Sequence, residues 1–263
     1  MSTLTLAPAA PKAALQQSFS ERYELLMDKW REELLSHAKD PKNRDSAAIV
    51  GKAFSNPVRD TTCAGYHGCC LRALITAVNT GYLPSGLFKL SGSLYIAPSP
   101  DCFPGSSREG SIEDARGYAL MITSRDIVAA LIDKPYGDPL AGDLYSEYQN
   151  SNSRKLPALL ERAKLTMREL DCIIEAAEGR VYGGRGGTMI HNRQQGVILG
   201  LSPAVLDDFE IERGDYGDKK IVAPNGIPLK YLAAVEPLED GVYDALGDLQ
   251  TLVESLAQRG DRS

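Results

Sequence analysis

No apolar run in this chain approaches the ~18 residues that a membrane-spanning helix requires, so no span is expected. The cysteines, Cys63, Cys69, Cys70, Cys102 and Cys172, are an odd set without a C-x-x-C spacing, which argues against a disulfide framework. The opening MSTLTLAPAAPKAALQQ has neither the charged n-region nor the apolar core of a secretory signal, and the expected compartment is the reducing cytoplasm. An excess of positive charge is also missing. With 35 acidic against 29 basic residues the net charge is −6, so any attraction to a nucleic acid or anionic membrane has to be local. Finally, no stretch has the Gly-Lys-Ser/Thr ending of a phosphate-binding P-loop, and no glycine motif opens a helix as a dinucleotide turn would.

What is present suffices for a packed core: 263 residues, 43% of them hydrophobic. Ser18 and Glu21 have capping-box spacing, and Phe19, Tyr23, Leu26, Trp30 and Leu34 recur at helical steps, which predicts a helix over 19–37. Pro41 and Asn43 end it. A second helix is predicted over 67–80, closed by Gly81 in a left-handed cap, followed by a strand over 94–98. The run from Pro98 to Gly117 is rich in Pro, Gly and Ser and reads as an exposed loop. Tyr118 to Thr123 then reads as a strand, with Ser124 capping a helix that ends at Lys134-Pro135.

A stripe from Leu156 through Leu159, Leu160, Ala163, Met167, Leu170 and Ile174 to Ala177 predicts one long helix over 155–178. Strands are expected at 180–183, 187–191, 196–200, 219–223 and 228–235. The last two are expected to form a hairpin through Asn225-Gly226, and a final helix carries Val242, Leu246, Leu249, Val253 and Leu256. The expected fold class is α+β: a mixed or antiparallel sheet flanked by N- and C-terminal helices. It is expected as a single domain over 18–258, between a disordered tail at 1–17 and a disordered end at 259–263.

Chemistry-bearing constellations are sparse. Cys63, His67, Cys69 and Cys70 crowd together, but neighbouring Cys69 and Cys70 suit a tetrahedral zinc site poorly, so buried thiols and no metal are expected. Cys63 or Cys70 with His191 is the one nucleophile-base pairing that can be drawn. Asp207, Asp208, Glu210 and Glu212 read as a solvated acidic loop. Basic residues Arg154, Lys155, Arg162, Lys164, Arg168, Arg180, Arg185 and Arg193 make the middle of the chain locally positive, while the segment after 201 is acidic. In GRVYGGRGGTM, Gly183, Gly184, Gly186 and Gly187 read as a flexible hairpin or bulge, although amides in such a stretch can also cradle a phosphate beside Arg185.

NPVRDTTC, the helix CLRALITAVNTG, the turn YLPSG, SLYIAP, a polar loop and YALMITSRDIVAALI resemble, in that order, the core of the RecT/Red-beta family of phage single-strand annealing proteins. The resemblance covers residues 56–133. It departs from the family at Tyr82-Leu83-Pro84, where Gly-Leu-x-Pro is usual, and at Thr123-Ser124-Arg125-Asp126, where the family has a Gly-Tyr-basic-Gly entry to the helix. It implies single-stranded DNA binding and strand annealing in phage-type homologous recombination, without nucleotide hydrolysis, catalytic residue or cofactor. The implied partners are single-stranded DNA, further copies in a ring or filament, and an exonuclease. Implied backbone contacts are Lys89, Arg108, Arg116, Arg125, Arg154, Lys155, Arg180, Arg185 and Arg193, and Tyr82, Phe88 and Tyr95 are implied to stack on bases.

Two other classes stay open. DLYSEYQNSNSRKL, the long helix and GRVYGGRGG resemble the arginine-specific ADP-ribosyltransferases, which would make the protein an enzyme using a nicotinamide dinucleotide. There Gly183 stands where the family has Arg, and Glu210-Ile211-Glu212 supplies the Glu-x-Glu without a preceding Ser-Thr-Ser. The third class is a phage-type structural or assembly protein.

Overall fold

A computed structural model describes residues 12–85, 93–97, 115–150, 152–181, 189–191, 196–213, 219–238 and 240–260. Helix α1 (Lys12–Lys39) begins ahead of the Ser18-Glu21 box, which lies inside it. Its buried stripe is Phe19, Tyr23, Trp30, Leu34 and Ala38, the face that the helical spacing marked. A short 3₁₀ turn, Pro41–Asn43, is capped by the Asp40 side chain accepting from the Lys42 amide, and α2 (Arg44–Phe54) follows directly.

The central sheet joins three distant segments in the order β1 (Gly65–Cys70), β6 (Gly196–Leu201) and β10 (Leu232–Pro237), every pair antiparallel. β6, in the middle, is buried along its whole length and places Val197, Ile198, Leu199 and Leu201 in the interior. A second sheet has the order β3 (Ser93–Ile96), β8 (Lys219–Val222), β7 (Ile211–Arg213). It is tied to β1 by a Tyr66–Ala97 bridge, in which each amide donates to the other's carbonyl, at 2.9 and 2.7 Å. Two-stranded pairs are β2 (Tyr82–Leu83) with β9 (Ile227–Pro228) and β4 (Gly179–Val181) with β5 (Met189–His191).

Helix α4 (Ala115–Leu131) lies across β1 and β6; α5 (Pro139–Gln149) and α7 (Met167–Glu178) pack against it, and α6 (Leu156–Ala163) packs against α5. The one-turn α8 (Val205–Asp208) follows β6, and α9 (Asp240–Gly260) closes the chain against α1 and α2. Small antiparallel sheets between terminal helices make this an α+β fold, as the periodicity predicted.

Several local expectations are corrected. Residues 67–70, expected as the start of a helix, are strand: only Leu71–Thr80 (α3) is helical, with Cys70 extended as its N-cap and Gly81 left-handed at φ 79° as its C-cap. The strand is favoured because Gly68 lets its backbone lie directly under α4, an approach that a side chain would block. Residues 118–123, expected as a strand leading into a helix, are part of α4 throughout. Tyr-Ala-Leu-Met-Ile-Thr is an apolar run readable either way. The helical spacing of Ala115, Ala119 and Ile122, all buried, decides it.

The long helix expected over 155–178 is two helices broken at Lys164, which is left-handed at φ 56°. Asn225-Gly226 does form a turn, with the Gly226 amide donating to the Ala223 carbonyl. The strands on either side part company, β8 joining β3 and β9 joining β2, so no hairpin forms. Helices α2 and α5 lie where no helix was expected. In α5 Asp138 and Pro139 serve as its N-cap and first residue, the Asp138 carboxylate accepting from the Leu140 amide at 2.8 Å. The loop expected from Pro98 to Gly117 lies for its greater part outside the described residues.

Candidate functional site

The described residues contain one cluster of perturbed titratable groups in the interior, where β1 turns into α3 beneath α4. Cys70 ends the strand, Arg72 occupies the first turn of α3, and Asp126 projects from α4. Arg72 Nη1 donates to Asp126 Oδ1 at 3.0 Å. The guanidinium is held between two rings, 5.3 Å from the centroid of Trp30 on α1 and 5.2 Å from that of Tyr136, which follows α4. Cys70 Sγ donates to the Tyr136 hydroxyl at 3.5 Å.

Asp126 is fully buried, whereas the Arg72 side chain keeps 20% of its surface exposed. The carboxylate is only half satisfied among the described residues, where Oδ2 has no hydrogen-bond partner, nor does the buried Thr123 Oγ1 three residues earlier on α4. Burial pushes the Asp126 carboxyl up to about 7 against the opposing pull of Arg72. Burial likewise raises the thiols of Cys69 and Cys70 and the Tyr136 hydroxyl. The thiols therefore stay protonated and are not nucleophiles, because the thiolate is the reactive form. What the cluster can do near neutral pH is hold or release one proton at Asp126 beside a fixed cation.

Sequence reasoning missed this cluster. Arg72 and Asp126 lie far apart in the chain, and each reads alone as a surface charge. The available signal was Asp126 inside the apolar stretch ITSRDIVAALI, a carboxyl with nowhere but the interior to point.

The residues singled out for DNA contact fall on several elements. Arg125, on α4, donates to Ser146 Oγ at 2.9 Å and lies 6.0 Å from the Tyr145 ring, so it fastens α4 to α5. Arg116 is also on α4, Arg180 on β4 opposite Ile190, and Tyr95 on β3 opposite Lys220. Arg154 and Lys155 are exposed ahead of α6, with Lys155 Nζ 3.7 Å from Glu147. Tyr82 is on β2 and 46% exposed. Of the remainder, Lys89, Phe88, Arg108, Arg185 and Arg193 lie outside the described residues, as do Gly183, Gly184, Gly186 and Gly187. His191 is in β5.

Among the described residues, no group of three or more His, Cys, Asp or Glu is arranged to hold a metal ion. Among them, too, no helix is long and apolar enough to cross a membrane.

No protein-family profile matches the chain, and no solved structure matches it. The chain is 31% identical over 101 residues to a macro domain-containing protein of Vibrio parahaemolyticus, a stretch covering 38% of this chain and 57% of that protein. The chain thus spans little more than half the length of the relative it matches. The likeness overturns the resemblance to the RecT/Red-beta family and, with it, the reading as a strand-annealing protein. The structure removes the same ground independently. That resemblance required a strand passing into a helix between Tyr118 and Ile132, and α4 is helical from Ala115 to Leu131.

Proposed function

We propose that this protein binds ADP-ribose or a ligand that carries it. The observation behind the reading is the 101-residue likeness to a macro domain-containing protein, the macro domain being an ADP-ribose-binding fold. It agrees with the charge balance. A net charge of −6 disfavours a long polyanion, whereas a single diphosphate needs only a few well-placed donors. Of the classes open to the sequence, this falls with the ADP-ribose-related one.

The test is calorimetric titration of the full chain with ADP-ribose, with AMP, ADP and a single-stranded oligonucleotide as comparisons, alongside thermal melts. The expected result is saturable heat for ADP-ribose. At a concentration of about 100 times Kd it should stabilise the fold by about 2.7 kcal/mol, a rise in Tm of several degrees. No heat and no shift with millimolar ADP-ribose, or a response equalled by AMP, overturns the reading. Incubation with NAD, followed by assay for free nicotinamide, separates a binding protein from an enzyme that consumes the dinucleotide.

A further inference from the structure

Asp126 is a fully buried carboxyl that has, among the described residues, one charged donor on one oxygen and none on the other. An ionised carboxylate removed from water needs its lone pairs satisfied as well as a counter-charge, and here half of them are not. Its partner is differently placed. Arg72 reaches the surface with part of its side chain, and its guanidinium is held as much by the Trp30 and Tyr136 rings as by Asp126. Two arrangements are therefore open to the pair: a charged pair in the interior, or a neutral acid inside with Arg72 turned towards solvent. The second state loosens the contact of α3 with both α1 and the segment after α4.

We propose that the Arg72–Asp126 pair is a proton-operated latch, closed when Asp126 is ionised and open when it is protonated, which couples α3 and α4 to the docking of α1 through Trp30.

The surroundings favour Asp126 as the group that switches. From α3 it faces Arg72, from β1 it faces Cys70, and Cys69 and Tyr136 complete the cluster, all three of the latter being held protonated by burial. From α1 the cluster meets the uncharged Trp30 ring, and β6, GVILGL, has no titratable side chain. Of the charged groups of α5 and α7, Glu147 meets Ser153 and Lys155, Asp171 meets Tyr148, Glu175 meets Gln16 and Glu169 meets Thr166. Arg125, next to Asp126 on α4, reaches Ser146, and Arg22 of α1 meets Asp133 beyond the end of α4. His67 on β1 and His37 on α1 are kept in both variants below.

Trp30 is the single tryptophan of the chain, so its emission reports on this contact alone. The experiment follows the Trp30 fluorescence of the full chain from pH 5 to 9 in wild type, Asp126→Asn and Arg72→Gln, with folding checked by circular dichroism. The expected wild-type curve contains a one-proton transition that is lost in both variants. A transition that persists unchanged in either folded variant, or none in the wild type, overturns the latch. Should neither variant fold, carbon-detected NMR of the wild-type Asp126 carboxyl decides the matter. Titration near neutral pH supports the latch, and titration in the ordinary carboxyl range overturns it.

Discussion

Gly68 on β1 lies directly beneath Ala115 on α4: a Cβ added to the glycine would stand 1.9 Å from the Ala115 carbonyl oxygen and 2.4 Å from the Ala119 amide nitrogen. Both neighbours are backbone atoms of a helix and have no rotamer through which to move away. Gly68→Ala therefore has to lift α4 off the sheet, and the expected loss is about 3 kcal/mol or more, or failure to fold. Urea denaturation of the variant measures it. A loss below about 1 kcal/mol would mean that α4 does not lie this close to β1.

Gly247 is the opposite case. It stands in the interior of α9 with nothing within 4 Å of an added Cβ, so Gly247→Ala gains helix propensity without a clash. The expected change is a stabilisation of about 0.8–1 kcal/mol in the same denaturation assay.

The pH dependence of stability follows from Asp126. Its carboxyl is raised from an ordinary 3.8 to about 7, so the folded chain holds this proton more tightly than the unfolded chain does. The stabilisation from the bound proton is complete below about 3.8 and is lost as the pH rises through about 7. Across that window the group makes stability fall with pH by at most about 1.4 kcal/mol per unit. Urea midpoints for wild type and Asp126→Asn at pH 5, 6, 7 and 8 should therefore converge or cross, because the variant lacks this slope. Parallel curves would place the Asp126 carboxyl back in the ordinary range.

Thiol reactivity is expected to follow depth. Cys69, Cys70 and Cys172 are buried, whereas Cys63 is intermediate, with a thiol that burial also raises. Alkylation of the native protein with iodoacetamide, mapped by peptide mass spectrometry, should label Cys63 slowly and leave the three buried thiols untouched until denaturant is added. Rapid native labelling at Cys70 would contradict its position beneath α4.

The break between α6 and α7 depends on a reciprocal cap. The Thr166 amide and hydroxyl both donate to Glu169 Oε2, at 2.7 and 2.8 Å, and the Glu169 amide donates to Thr166 Oγ1 at 3.2 Å. Thr166→Ala should cost about 1 kcal/mol by denaturation, with Thr166→Ser restoring most of it. At the other side of the break Lys164 is left-handed, so Lys164→Gly should be neutral or stabilising by up to about 1 kcal/mol.

That cap also shows what could be read in the sequence. Thr166 and Glu169 have capping-box spacing, but the apolar stripe running through Ala163 and Met167 keeps phase across the break, and one continuous helix was expected. Trp30 and Leu34 on the buried face of α1, Gly81 as a left-handed cap, and the all-apolar β6 were legible because each depends on its own neighbours. Strand 65–70 was not, since its conformation is decided by contact with α4, a helix from much later in the chain. The same reason hid the candidate site: Arg72 and Asp126 meet only after α3 and α4 have packed, and no spacing in the sequence anticipates the pairing.

The order of the central sheet has a consequence during synthesis. β1 is made before β6, which pairs with it along the full strand but is encoded some 130 residues later, and β10 comes later still. At ordinary ribosomal rates the first strand waits on the order of ten seconds with its hydrogen-bonding edge bare. The central sheet therefore cannot close around β1 until Gly196 to Leu201 have left the exit tunnel.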